Sequence, residues 1–285
     1  MTAGLPLTSP DAMKAQVTEG FAAAAAAYDA DGTELFGPIG ERLVAHAGIK
    51  PGAIILDVGC GKGAVTIPAA RAAGPGRHVT GIDLAGPMLD HARLAAAEAG
   101  LANVTFGPGD AEDPPFPAGS FNVILAGNLI QFLPRPTQAV RRWWSLLAAG
   151  GTLAMSWGVA QEARWVPVMA AIDAYVPDGV PAFGALLRRP PFHDIVAVED
   201  MLRMCGFFAV ATVTHDITMT YGSPEQWWAT CQSQAPWAVS WRHIPAGRLP
   251  DAKRDVFTLL DQMRETGGTL TRTVTFACTS GHKEA

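Results

Sequence analysis

Ile54-Ile55-Leu56-Asp57-Val58-Gly59-Cys60-Gly61-Lys62-Gly63 decides the fold of this 285-residue chain. An apolar run closed by an acid and followed by glycines at every second position reads as a buried parallel strand emptying into a tight turn. Glycines leave room for backbone N–H groups to approach a ligand, and the alanine-rich residues after Gly63 set a helix N-terminus beside it. A nucleotide-like molecule suits such a cradle.

The chain on either side repeats the pattern. Ala64 to Ala73 is expected to be a helix stopped by Gly74-Pro75-Gly76, with Pro68 kinking it or sitting in its first turns. His78 to Leu84 is a second strand, Pro87 to Gly100 a helix, Asn103 to Phe106 a third strand and Asn122 to Ala126 a fourth. A helix over Thr137 to Ala148 and a fifth strand from Gly150-Gly151 to Trp157 follow. Strands and helices alternating at this spacing require right-handed crossovers, hence an α/β, Rossmann-like, mostly parallel sheet with helices on both faces.

Later residues are less regular. Asp194 to Cys205 reads as a helix and Phe207 to Thr214 as a sixth strand. Leu270 to Cys278 reads as a seventh, antiparallel and at the sheet edge. Four regions are expected: N-terminal helices over 1–50, a ligand-binding core over 51–157, a helical lid with the sixth strand over 158–270, and the last strand and tail over 270–285. Within the lid, Trp227, Trp228, Trp237 and Trp241 suit either an apolar core or the wall of an aromatic substrate pocket, and a mixture is expected.

Composition narrows the partners. Charged residues make up 16% of the chain and the net charge is -5. Phosphate-backbone binding draws on clustered Lys and Arg, so a small molecule is favoured over nucleic acid. No stretch is long and apolar enough for a membrane span, and Met1 to Gln16 lacks a secretory signal, so a cytoplasmic location is expected. Cys60, Cys205, Cys231 and Cys278 are dispersed, which fits reduced thiols and no metal site. A homodimer is compatible with these features.

Three acids stand just after strand ends: Asp57, Asp83 and Asp110. In an open α/β sheet ligands bind beyond the carboxyl ends of the strands, which puts all three in one crevice. Asp57-x-Gly59-x-Gly61-x-Gly63, Gly81-Ile82-Asp83 and Gly109-Asp110-Ala111-Glu112 resemble the successive motifs of class I S-adenosylmethionine-dependent methyltransferases, in the small-molecule branch related to ubiquinone and menaquinone methyltransferases. The resemblance covers residues 20 to 157. It implies that Gly59, Gly61 and Gly63 approach the methionine part of S-adenosylmethionine, with Asp57 supporting the loop or meeting a cationic group. It further implies that Asp83 holds the ribose, that Leu84 and Met88 flank the adenine, and that Asp110 with Ala111 meets its amine edge. Tyr28 matches a tyrosine that closes over the cofactor, and Asn128 faces the sulfonium. Where many relatives carry His, this chain has Gln131.

The expected activity is therefore transfer of a methyl group to O, N or C of a small apolar or aromatic metabolite, in secondary metabolism, leaving S-adenosylhomocysteine. Positioning supplies much of such a displacement, so no particular base is obligatory. Gln131 and His243 are the candidate catalytic side chains; His193 and His215 read as structural. Three alternatives remain open. Arg188-Arg189 beside aromatic walls would suit a C-methyltransferase of an isoprenoid diphosphate. The same motifs would serve a cyclase that binds the cofactor without transferring methyl. A nicotinamide oxidoreductase fits least, because its fingerprint spaces the glycines G-x-G-x-x-G and no hydride-transfer pair is evident.

Overall fold

The computed structural model describes residues 9–28, 35–177, 190–192, 194–233, 241, 243–264 and 268–285. Its strands are β1 (Ile55–Val58), β2 (Val79–Asp83), β3 (Val104–Pro108), β4 (Phe121–Gly127), β5 (Leu147–Gln161), β6 (Phe208–Tyr221) and β7 (Leu270–His282). They form one seven-stranded sheet in the order β3-β2-β1-β4-β5-β7-β6. Strands β3, β2, β1, β4 and β5 pair parallel, while β7 runs antiparallel to both of its neighbours. This is the expected Rossmann-like sheet with an antiparallel last strand.

The seventh strand, however, is not at the edge. It is inserted between β5 and β6, and the outer strand is β6, whose residues are mostly exposed. Thr279, Ser280 and Gly281, which extend β7 beyond its expected end at Cys278, are all buried. The Thr279 hydroxyl hydrogen-bonds the Thr212 hydroxyl at 2.7 Å, which satisfies its polar atom within the sheet. The last two strands are also longer than their sequence patterns indicated. They pair from Phe208 with His282 to Tyr221 with Leu270.

Both sheet faces are covered, and the period of two along the strands explains how. Ile55, Val79, Val123 and Leu125 pack with Leu43 and Val44 of α2 (Phe36–Ala47) and with Ala69, Ala70 and Ala73 of α3 (Thr66–Ala73). The alternate residues Leu56, Val58, Ile124 and Leu153 pack with the helices that follow β4 and precede β6. These helices are numbered in chain order: α4 (Gly86–Glu98), α5 (Pro136–Leu146), α6 (Val166–Asp173), α7 (Ile195–Met204), α8 (Pro224–Ser233) and α9 (Leu249–Met263). The second face is held by Val140, Trp143 and Leu146 of α5 and by Val198 and Leu202 of α7. Pro68 falls in the first turn of α3, where its missing N–H costs no helical bond.

A separate apolar cluster caps the far ends of the β6–β7 pair. Met219, Tyr221, Leu270 and Val274 pack with Met169 and Ile172 of α6, with Trp227, Trp228 and Cys231 of α8, and with Val256 and Leu260 of α9. Trp165 stacks on Trp227 with ring centroids 5.6 Å apart, and Trp228 meets Trp241 edge-on at 4.2 Å. The described tryptophans of this block are therefore core. Trp237, Arg188, Arg189 and His193 lie outside the described residues.

The N-terminal helix α1 (Pro10–Ala24) starts well before the alanine run Ala22 to Ala27. Ser9 caps it, its hydroxyl accepting from the Ala12 N–H at 3.2 Å, and Pro10 occupies the first turn. Ala24 and Ala25 then pack on Ala85 and Met88 at the start of α4.

Candidate active site

Strand order reverses between β1 and β4, so the loops leaving their carboxyl ends diverge and open a crevice. A cavity of about 380 Å³ occupies it. Its floor is the turn after β1, the ends of β2 and β3, and the residues after β4; α1 and the start of α2 roof it. Gly40 lets α2 approach this closely, because a Cβ there would fall 2.1 Å from the Ala64 carbonyl oxygen.

The turn depends on left-handed backbone at Gly59 (φ 65°) and Gly61 (φ 53°), conformations that side chains disfavour. A Cβ on Gly61 would meet no protein atom within 4 Å, so the turn presents open space there. Asp83 fixes it in place. Its carboxylate accepts from the Gly61 N–H at 2.9 Å and from the Ala85 N–H at 2.8 Å, tying the glycine turn to the start of α4. Burial raises the Asp83 pKa, against the lowering effect of these backbone donors.

Asp57 lies beneath the turn and is 1% exposed. One carboxylate oxygen accepts from the Thr66 hydroxyl at 2.5 Å, while the other is buried with no hydrogen-bond partner. Burial pushes its pKa up to about 7; the Thr66 hydrogen bond lowers it and the neighbouring Asp83 charge adds to the rise. Asn128 holds a left-handed φ of 50°, and its N–H donates to the Ser156 carbonyl at 2.9 Å. Its side-chain oxygen is likewise buried without a partner. Two unpaired acceptors on one wall each carry an unmet desolvation cost of about 1–3 kcal/mol, which a ligand with donors or positive charge removes.

The other end of the crevice is held by charge. Lys14 of α1 reaches Asp110 Oδ2 and Glu112 Oε2, both at 2.6 Å, and Arg135 pairs with Glu112 at 3.2 Å. Burial works against the Lys14 charge, but the two acids outweigh it and raise its pKa; Glu112, in turn, is held below its ordinary value by Lys14 and Arg135 despite its burial. The loop carrying these acids is also anchored by Trp143, whose indole N–H donates to the Ala111 carbonyl at 2.7 Å. The roof is aromatic. Tyr28 stacks on Phe36 at 4.9 Å, and Phe21 meets Phe132 edge-on at 5.5 Å. Lys62 of the glycine turn donates to the Tyr28 carbonyl at 2.7 Å.

Of the residues expected from sequence, Tyr28, Asp57, Gly59, Gly61, Asp83, Leu84, Met88, Asp110, Ala111 and Asn128 all line this cavity. Gly63 does not; it is buried at φ 90° and closes the turn through its N–H bond to the Cys60 carbonyl. Gln131 is buried in a short 3₁₀ turn, its amide donating to the Asn128 carbonyl at 3.1 Å, and His243 is exposed in a turn. Neither belongs to the cavity wall. Lys14, Val17, Thr18, Phe21 and Lys62 line it but were missed. The first four stand at helical i, i+3, i+4, i+7 spacing, a stripe legible once the helix is started at Ser9.

The residues fit S-adenosylmethionine. Open space over Gly61, unpaired acceptors on Asp57 and Asn128, and an acid at the end of β2 suit a molecule carrying a cationic sulfonium, an ammonium and a ribose diol. Comparison with known proteins agrees. A methyltransferase domain model matches residues 55–151. The nocamycin O-methyltransferase of Saccharothrix syringae is 39% identical over 208 residues, 70% of this chain and 74% of that protein. The aklanonic acid methyltransferase of Streptomyces sp. (strain C5) is 41% identical over 143 residues, 50% of this chain and 65% of that protein. Among solved structures, the YcgJ protein of Bacillus subtilis superposes with a TM-score of 0.57 at 17% identity, covering 87% of this chain and 98% of that one, a likeness of fold. Sheet, crevice and relatives converge: the chain belongs to the S-adenosylmethionine-dependent methyltransferases.

Proposed function

We propose that this chain methylates an oxygen of a small apolar or aromatic metabolite in secondary metabolism, in the cytoplasm. The observation that carries this reading is the single crevice wall shared by Gly59, Gly61, Asp83, Asp110 and Asn128. The names of the two relatives, an O-methyltransferase and a methyltransferase of an acid, support the choice of oxygen. When bound, the cofactor supplies an electrophilic methyl group on a sulfonium. In this reading Gly59 and Gly61 admit its methionine part, Asp83 accepts from the ribose hydroxyls, Leu84 and Met88 sandwich the adenine, and Asp110 with Ala111 meets the amine edge.

The protein's own contribution is alignment and exclusion of water. Tyr28, Phe36, Phe21 and Phe132 roof the crevice with apolar surface, and Lys14 fastens α1 across its far end. An in-line displacement with a neutral leaving group gains chiefly from such positioning. Residues 1–50 act as the closing segment, 51–157 as the cofactor-binding core, 158–270 as the cap and 270–285 as the strand that joins the cap to the sheet. The test is stoichiometry: S-adenosylhomocysteine and methylated product should form in equal amounts. Cofactor that survives turnover intact would instead support a non-methylating cyclase.

A further inference from the structure

The two edges of the sheet are built differently. At one edge β3 is five residues long and ends in Gly107-Pro108, and its Phe106 carbonyl accepts from Arg93 of α4 at 3.1 Å. A short strand closed by proline offers little to another chain. At the other edge β6 runs for 14 residues, from Phe208 to Tyr221, with no proline, glycine, lysine or arginine among them. Its inner side pairs with β7, but from Thr212 to Thr220 its outer backbone groups bond no other described residue. A long, unblunted edge of this kind is a template for a further strand.

Apolar exposure gathers at the same edge. Of the seven large apolar side chains exposed among the described residues, Phe208 and Val213 lie on β6, and Val196 and Met204 lie on α7, the helix that packs against β6. Burying them needs a partner that reaches both strand and helix.

The strand that fits this edge is β6 itself. A two-fold axis perpendicular to the sheet sets two copies of β6 antiparallel, with directly opposed side chains on the same face. The acid on the strand restricts where that axis stands. At Asp216 it would oppose two carboxylates, which is destabilising. At Thr214 or His215 it puts Asp216 opposite Thr212 or Thr214 of the second copy. Asp216 Oδ1 accepts from the Thr275 hydroxyl at 2.7 Å, which leaves the other oxygen for that threonine. An axis at His215 also sets Val213 opposite Ile217 of the second copy.

We infer that this protein forms a homodimer in which β6 pairs antiparallel with β6 of a second copy about Thr214 or His215, joining two seven-stranded sheets into one. Main-chain hydrogen bonds hold the joint, and the apolar residues beside it leave water. No residue of β6 or α7 lines the crevice, so each copy keeps a complete site.

Analytical ultracentrifugation and cross-linking test this. At about 50 µM the wild-type protein should sediment with twice the mass of one chain. Thr214→Lys puts like charges on both sides of the joint and should return the mass to that of one chain, while unfolding stays cooperative because residue 214 is exposed. Cross-linking reads the geometry of the joint. All four native cysteines are buried, so an introduced cysteine reports alone. Under mild oxidation Thr214→Cys or His215→Cys should give a disulfide-linked pair of chains, whereas Thr220→Cys, roughly 35–40 Å from its counterpart, should not. A wild-type protein that sediments as one chain, an assembly of more than two chains, a dimer that survives Thr214→Lys, or cross-linking as efficient through Thr220→Cys as near the axis would each overturn the inference. Should Thr214→Lys unfold the chain, the cross-linking pattern decides alone.

Discussion

Around the glycine turn, Gly61 holds left-handed backbone beside open space, and two buried acceptors on Asp57 and Asn128 go unpaired. In the cap, Trp165 and Trp227 are 0% exposed and stack 5.6 Å apart. The crevice acceptors line an open cavity, whereas the cap is closely packed, although the indole N–H groups of Trp227 and Trp241 are also buried without a partner among the described residues. The first is what a binding site looks like before its ligand arrives, because those costs fall away on binding. The second is ordinary core, whose worth lies in the apolar area it removes from water.

Substitutions should separate the two. The largest effect on stability is expected in the cap: Trp227→Ala should cost about 3–5 kcal/mol in equilibrium unfolding. Its affinity for S-adenosylhomocysteine should stay within about 3-fold of wild type, since that residue is absent from the cavity wall. A large loss of affinity would mean that cap and crevice are coupled.

Gly61→Val should act the other way round. Left-handed backbone on a β-branched residue costs about 1–3 kcal/mol, and its side chain projects into the space a ligand would use. Calorimetry should find S-adenosylhomocysteine affinity reduced by roughly 10-fold or more while the protein still folds cooperatively.

The smallest effect concerns pH. The folded pKa of Asp57, about 7, lies above its ordinary value of 3.8, so between those limits the folded state binds more protons than the unfolded chain. Through this group the ligand-free protein gains stability as pH falls from about 7 toward 4, and loses it as pH rises through 7. Asp83, also raised by burial, adds in the same direction, whereas Glu112, held low by Lys14 and Arg135, opposes it on acidification. Asp57→Asn should flatten the dependence of Tm on pH between about 4 and 7 and stabilise the ligand-free protein at pH 8 by about 1–3 kcal/mol. An unaltered pH dependence would contradict the burial argument.

The crevice was legible in the sequence because its geometry is imposed by backbone. Glycines at positive φ and acids at strand ends follow from local constraints that a short stretch carries whole, and Gly59, Gly61, Asp57, Asp83 and Asp110 do line the cavity, as do Tyr28, Leu84, Met88, Ala111 and Asn128, which the family resemblance implied. The sixth and seventh strands were harder. The seventh strand was expected at the sheet edge, yet Thr279, Ser280 and Gly281 near its end are buried because β6 pairs outside it, a contact about 70 residues distant in the chain. Lys14 was missed because its partners Asp110 and Glu112 are equally remote, and Gln131 and His243 were chosen by their place in the chain, which says nothing about whether they reach the cavity.

The central claim is that the crevice under the glycine turn holds the cofactor and that Asp83 organises it. Calorimetric titration of S-adenosylhomocysteine into the wild-type protein and Asp83→Ala tests it most directly. Removing that carboxylate takes away the proposed ribose acceptor and also frees the Gly61 and Ala85 N–H groups it holds. The account predicts saturable binding to the wild-type protein and a loss of roughly 100-fold or more in Asp83→Ala. Equal affinity in the two proteins would contradict it.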